Sequence, residues 1–434
     1  MADPQPHDIP LDVNQFDLYA CPDGFIFIPS GEIWSGTFVN KRLGQIGGVP
    51  ASTWIAQHRA IEGLTWVPGE PRVMVGRLIV KAGWIEHPGA RLFNLYTPPV
   101  INGGDAASAG RWVELVKFVY PDSWHHLINW FAHRTQFPGV KINHALVLGG
   151  STRIGKDTIL EPLRHAVGYP NTQAIPPTAL LGRFNGFFET VVLIVSEARD
   201  LGDINRYQLY DHLKQYIAAP PETILIDKKN ISEYAILNRV GLVFTTNHED
   251  GLYIPPDDAR FHCNWSPRVK DDFTDEFWFE FHKWYAEGGI AHVAAYLKTL
   301  DVSLFNPKSP PPHTEAFRAM VDAGRSSETS EFADLIEKLD RPHGVVITML
   351  MYRADEDMRF WLKDRKNKKN IGRRLSDCGY KPFRNPDRDD GLWVVQDKRQ
   401  VVYCRVDISE REKFTAARRL TVTIVSDGSD YVSH

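Results

Sequence analysis

Between residues 145 and 268 short apolar runs alternate with helical text, and three of the runs, "ALVLGG", "TVVLIVSE" and "VGLVFTTN", end in polar residues. That alternation is the pattern of a parallel α/β sheet. It constrains the rest of the reading, because ligands of such sheets bind at the carboxyl ends of the strands, where the polar endings fall.

The first ending runs into "GGSTRIGK", where Gly150 and Gly155 stand five apart and Lys156 follows, matching G-x-x-x-x-G-K. A strand leads in and a helix leads out, so backbone N–H groups of Gly150, Ser151, Thr152, Arg153, Ile154 and Gly155 can surround phosphate oxygens at a helix N-terminus. Lys156 then reaches the β- and γ-phosphates of ATP. The plainer alternative is a tight turn with a solvated lysine. "VVLIVSEARD" delivers Glu197, suited to polarise an attacking water, and "VGLVFTTNHED" delivers Asn247, whose amide suits that water or the γ-phosphate. Each is unremarkable alone; their order after the loop carries the weight.

The blocks "ALVLGGSTRIGKDTILEP", "GRFNGFFETVVLIVSEARD", "IDKKNISEYAILNRVGLVFTTN", "PPDDARFHCNW" and "PPPHTEAFRAM" together resemble the helicase part of phage and plasmid primase-helicases, in superfamily 3 of the AAA+ ATPases. The resemblance spans about residues 85 to 325. It implies an α/β AAA+ P-loop core and a ring, usually hexameric, that moves along single-stranded DNA, typically 3′ to 5′, with ATP and Mg²⁺. Its motif residues fall on Lys156, Glu197 and Asn247, with Arg260 in the place of an arginine finger. Such a finger, supplied by a neighbouring subunit, neutralises charge on the leaving γ-phosphoryl. This chain departs from the pattern at three positions: Asp157 replaces the usual Ser or Thr, Ser196 an acid, and Ala259 a first arginine. A carboxylate near a helix N-terminus can serve as an oxygen ligand, so Asp157 and Thr158 are both candidates for Mg²⁺, with Glu197 beside them.

"ETILIDKKNISEYAIL" reads as strand, polar turn, strand, with Lys228 and Lys229 at the turn. The resemblance puts this hairpin in the ring's channel, where lysines grip phosphates without reading sequence; a solvated tip is the alternative. Near the C-terminus Lys363, Arg365, Lys366, Lys368, Lys369, Arg373 and Arg374 face one acid, Asp364. A helix and then the runs of "GLWVVQDKRQVVYCRVD" follow, the order of a winged helix that touches DNA. His125, His126 and His133 lack a matching acid or cysteine set and read as packing or surface residues.

A net charge of −4 over 434 residues leaves any nucleic-acid contact to local basic clusters. Four scattered cysteines give neither a disulfide framework nor zinc spacing, and the apolar runs are far short of the roughly 18 residues that span a bilayer. A soluble, cytoplasmic protein of a bacterial host or phage-infected cell is expected, with no membrane contact. The expected organisation is an irregular β-containing region (1–105) behind a short flexible leader, a helical collar (106–140), the ATPase core (141–270), a helical extension and proline-rich linker (271–335), and a winged-helix-like domain (336–434). The expected function is an ATP-dependent DNA helicase acting on single-stranded or forked DNA as a hexameric ring, with a primase or polymerase on a separate chain. The rivals are an AAA+ remodeller or loader without processive unwinding, and a non-motor DNA-binding protein that senses ATP.

Overall fold

The computed structural model describes residues 18–422 apart from 102, 198–205 and 365–366, and omits the side chains at 206–207, 325–330, 369 and 422. The chain forms two compact units: Met1–Glu197 with Lys214–Asn247 and Ala259–Pro312, and Ala198–Leu213 with His248–Asp258 and His313–His434.

In the first unit, an antiparallel sheet of Leu18–Cys21, Gly24–Phe27 and Glu32–Trp34 and a mixed sheet of Gly63–Thr65, Val73–Val80 and Gly83–Asn94 occupy the N-terminal part. Helices α1 (Gly110–Val119) and α2 (Trp124–Gln136) follow, broken at Pro121 where the missing N–H and fixed φ of proline favour a helix boundary. α1 buries Trp112, Leu115, Val116 and Val119, a stripe at helical spacing, and the Trp112 indole donates to the Ile159 carbonyl at 3.1 Å.

The centre of the unit is a five-stranded sheet. Its elements in chain order are β1 (Ala145–Gly149), α3 (Lys156–Val167), β2 (Thr172–Ile175) and β3 (Val192–Val195), then a separate antiparallel hairpin of β4 (Thr223–Lys228) and β5 (Ile231–Leu237), then β6 (Gly241–Thr246) and β7 (Phe261–Trp265). The order across the sheet is β2-β3-β6-β1-β7, and every pairing is parallel. All residues of β1, β3 and β6 are buried, as expected for central strands covered on both faces. Two strands are added to the three expected ones: β2 is a short edge strand, and β7 interleaves His262 and Asn264 with apolar residues. α4 (Asp275–Trp284), capped by the Thr274 hydroxyl, and α5 (Ile290–Thr299) complete the unit.

The second unit packs its own core around Phe332, Leu350, Trp361, Leu375 and Val402. Helices Ile347–Arg353, Glu356–Lys363 and Lys368–Asp377 precede the strand Tyr380–Phe383, the hairpin Trp393–Val395 with Lys398–Gln400, and the strand Val402–Arg405. The hairpin turns at Gln396 and Asp397, both at positive φ (51° and 58°), as a tight two-residue hairpin turn requires. Among the described residues no helix is long and apolar enough to cross a membrane.

Candidate nucleotide site

The loop after β1 needs its glycines. Gly150 (φ 138°) and Gly155 (φ 90°) lie where L side chains are strained. A Cβ at Gly150 would lie 2.8 Å from Ile154 and Ser266, and one at Gly155 2.4 Å from the indole of Trp278 on α4. Arg153 also adopts positive φ, 62°. Among the described residues no backbone acceptor takes the amide N–H groups of Thr152 through Gly155. Together with the first turn of α3, whose N–H groups have no intrahelical acceptor, they form a nest of donors suited to an anion.

Lys156 begins α3 and turns back over the loop. Its Nζ donates to the Gly150 and Ser151 carbonyls at 2.8 Å each and to Oδ1 of Asn247 at 2.7 Å. Burial lowers its pKa to about 8, while the charges of Asp157 and Glu197 act in the opposite direction. The structure thus joins Lys156 to Asn247, 91 residues apart, because β1 and β6 are neighbours and both end at the same edge of the sheet. Glu197 follows β3, the next strand over, and is exposed at that edge. It holds φ at 53°, an uncommon conformation for a non-glycine residue, and its N–H donates to the Thr245 hydroxyl of β6 at 3.4 Å. Asp157 is exposed on the first turn of α3; Thr158 is half-buried, and its carbonyl accepts from the Tyr285 hydroxyl at 2.8 Å.

Arg260 is not brought to this edge. It precedes β7, and its carbonyl accepts from the N–H of Ala145, the first residue of β1. The five-residue strand separates that end from the loop end by about 16 Å at 3.3 Å per residue.

Of the hairpin lysines, Lys229 is exposed at the turn, whereas Lys228 ends β4 and pairs with Glu189. In the second unit Lys363, Lys368 and Arg373 are exposed, while Arg374 is 6% exposed and lies 4.0 Å from Asp377. Arg365 and Lys366 lie outside the described residues, as does the side chain of Lys369.

The histidines of α2 divide. His125 is exposed and stacks on Trp124, while His126, His133 and His144 surround Phe305 and His262 packs against His126 and His144. His126 and His144 meet Nε2 to Nε2 at 2.9 Å, and the His262 ring faces the Pro312 backbone. Burial depresses their pKa values, to about 4 for His126 and His133, about 3 for His144 and about 2 for His262. Among the described residues no group of three or more His, Cys, Asp or Glu is placed to hold a metal ion.

Sequence reasoning passed over Thr245, Trp278, Tyr285 and Glu189. Thr245 stood in the quoted "TTN"; the other three carry no local signal, since each acts on a residue distant in the chain.

Residues 148–260 match a family of unknown function, DUF5906. No curated protein matches the chain. An apo structure of the NrS-1 C-terminal region superposes with a TM-score of 0.57 at 16% identity, covering 91% of this chain and 97% of that one. Its A form gives 0.53 at 15% identity with the same coverage. The X-ray structure of JCV helicase covers 53% of this chain and 63% of its own at 10% identity, with a TM-score of 0.30. The chain therefore shares its fold with the NrS-1 C-terminal region: a mixed α/β architecture whose five-stranded parallel sheet carries a P-loop-like turn.

Proposed function

We propose that the chain is an ATP- and Mg²⁺-dependent DNA helicase of superfamily 3 type, with an AAA+ core, working as a hexameric ring on single-stranded or forked DNA in the replication of a phage or mobile element. The observation that carries this reading is the convergence of Lys156, Asn247 and Glu197 at the carboxyl edge of three adjacent parallel strands, over a glycine loop of unpaired amides. Position and charge are what phosphoryl transfer asks of a protein.

Lys156 exchanges its loop carbonyls for β- and γ-phosphate oxygens, and the amides of Thr152 to Gly155 hold the same phosphates. Asn247, already within hydrogen-bond distance of Lys156, orients the attacking water, and Glu197 accepts a hydrogen bond from it and polarises it. The donor set fits Mg²⁺, which takes one or two carboxylates and substrate oxygens: Asp157 and Thr158 offer oxygens on the first turn of α3 and Glu197 a third across the loop. When bound, the ion neutralises charge building on the phosphate oxygens. Arg260, at the opposite edge of the sheet, acts on the site of a neighbouring subunit. Lys229 grips DNA phosphates from the exposed hairpin turn. In the second unit the three short helices followed by a strand and hairpin support a winged helix, with Lys363, Lys368 and Arg373 on its exposed surface.

The test is DNA-stimulated ATP hydrolysis, expected to collapse in Lys156→Ala and in Glu197→Gln. Full turnover in either variant refutes the site. Strand displacement on a fork separates a helicase from a loader, and particle images with an ATP analogue and forked DNA decide whether a ring forms.

A further inference from the structure

The hairpin of β4 and β5 is docked along one side. The Lys228 ammonium pairs with Glu189, and the Tyr234 hydroxyl donates to that carboxylate's other oxygen. The Glu189 side chain is 9% exposed and that of Lys228 30%, so the pair is shielded and costly to break without a substitute. Asn185 extends the contact: its amide donates to the Leu225 carbonyl and its Oδ1 accepts from the Asp227 N–H, both at 2.8 Å, while Arg183 meets Asp227 at 3.1 Å. The lysine stem lies across Gly186, where a Cβ would come within 2.7 Å of Lys228 Cε. This docking segment, residues 183–189, runs directly into β3, and Glu197 follows β3 at its other end. Glu189 and Glu197 thus flank one fully buried four-residue strand, paired on both sides, that transmits displacement rather than absorbing it.

We propose that Glu189 is a positioning residue that couples DNA occupancy of the hairpin to the nucleotide site: it holds Lys228 docked, and a DNA phosphate that captures Lys228 frees Glu189 and the segment that sets Glu197. The inference rests on the DNA-dependent ATPase reading above. Phosphate and carboxylate compete for one ammonium, so a variant without the carboxylate charge behaves as though part of the DNA signal were already given.

The test uses the full chain. In the wild type without DNA, acetic anhydride acetylates Lys229 several-fold faster than Lys228; in Glu189→Gln the two rates converge. The same variant binds an oligo-dT strand several-fold more tightly, and its ratio of DNA-stimulated to basal ATP turnover falls several-fold. Tyr234→Phe, which keeps the charge pair, retains the wild-type ratio. Equal acetylation of Lys228 and Lys229 in the wild type overturns the docking. Release of Lys228 in Glu189→Gln with unchanged DNA affinity and stimulation overturns the coupling. A wild-type chain that binds no DNA overturns the DNA reading and the coupling with it, while the docked pair is still judged by acetylation.

Discussion

Replacing His262 with Phe is expected to remove a defined part of the protein's acid sensitivity. The His262 ring is buried, facing the Pro312 backbone, and lies 3.8 Å centroid to centroid from His126. Its folded pKa, about 2, lies far below the ordinary value of 6.5 because burial disfavours the charged ring first, and the neighbouring His126 and His144 add to this. A base whose pKa is depressed in the fold gives stability that is complete above the unfolded value and lost as pH falls below it, because the unfolded chain binds the proton that the native one refuses. At pH 5 the native ring is still neutral, so the loss depends only on the unfolded pKa and amounts to about 2 kcal/mol per histidine. His144, at about 3, contributes a similar amount, and the His126–His144 contact turns into two opposed donors if both rings are protonated. Urea unfolding followed by tryptophan fluorescence at pH 7.5 and pH 5.0 reads the difference. The wild type is expected to lose several kcal/mol across that interval, and His262→Phe about 2 kcal/mol less. Any loss common to pH 7.5 and pH 5.0 reports the packing change, and only the difference between the two pH values reports the removed proton site. An identical pH dependence in the two proteins refutes the buried neutral cluster.

Three further outcomes follow from the same geometry. Gly155→Ala should destabilise the first unit by about 3 kcal/mol and weaken nucleotide binding, measured by chemical denaturation and isothermal titration; adding Trp278→Ala should recover the steric part but not the ~1 kcal/mol of left-handed backbone strain. Lys141 is 6% exposed, and its ammonium joins the carbonyls of Tyr216 and Val240 and Oδ1 of Asn238, so Lys141→Met should lower stability by about 2 kcal/mol as the acceptors lose their donor; an unchanged urea midpoint counts against that clamp. Asp157→Ala and Thr158→Ala compared across Mg²⁺ titrations of ATP turnover should show a raised Mg²⁺ requirement in only one, and identical curves remove both from the metal's ligand set.

What was legible in the sequence was local. β1, β3 and β6 showed themselves as continuous apolar runs because they are buried on both faces, and the glycines of the loop marked backbone that no other residue adopts comfortably. The hairpin was legible from its polar turn, and the helix break from Pro121. β2 was not, since an edge strand reading "TQAI" exposes its middle and has no apolar signature. β7 was hidden because His262 and Asn264 interrupt it, and their burial depends on neighbours more than a hundred residues away. The same cause hid the Lys228–Glu189 pair: the sequence showed two lysines at a turn, and only the folded chain reveals that one already has a carboxylate. Of the candidate site, residue types and chain order were readable; the shared sheet edge of Lys156 and Asn247, and the placing of Arg260 on the other edge, depend on a strand order that no single stretch encodes.

The polarity of the sheet has a kinetic consequence. With Lys156 and Arg260 at opposite ends of strands about 16 Å long, no side chain of one copy spans the gap, so chemistry that uses both is of higher than first order in protein. On the proposed reading in which Arg260 serves a neighbour's site, specific activity should fall on dilution at saturating ATP, and a mixture of Lys156→Ala and Arg260→Ala chains, each expected to be inactive alone, should regain turnover.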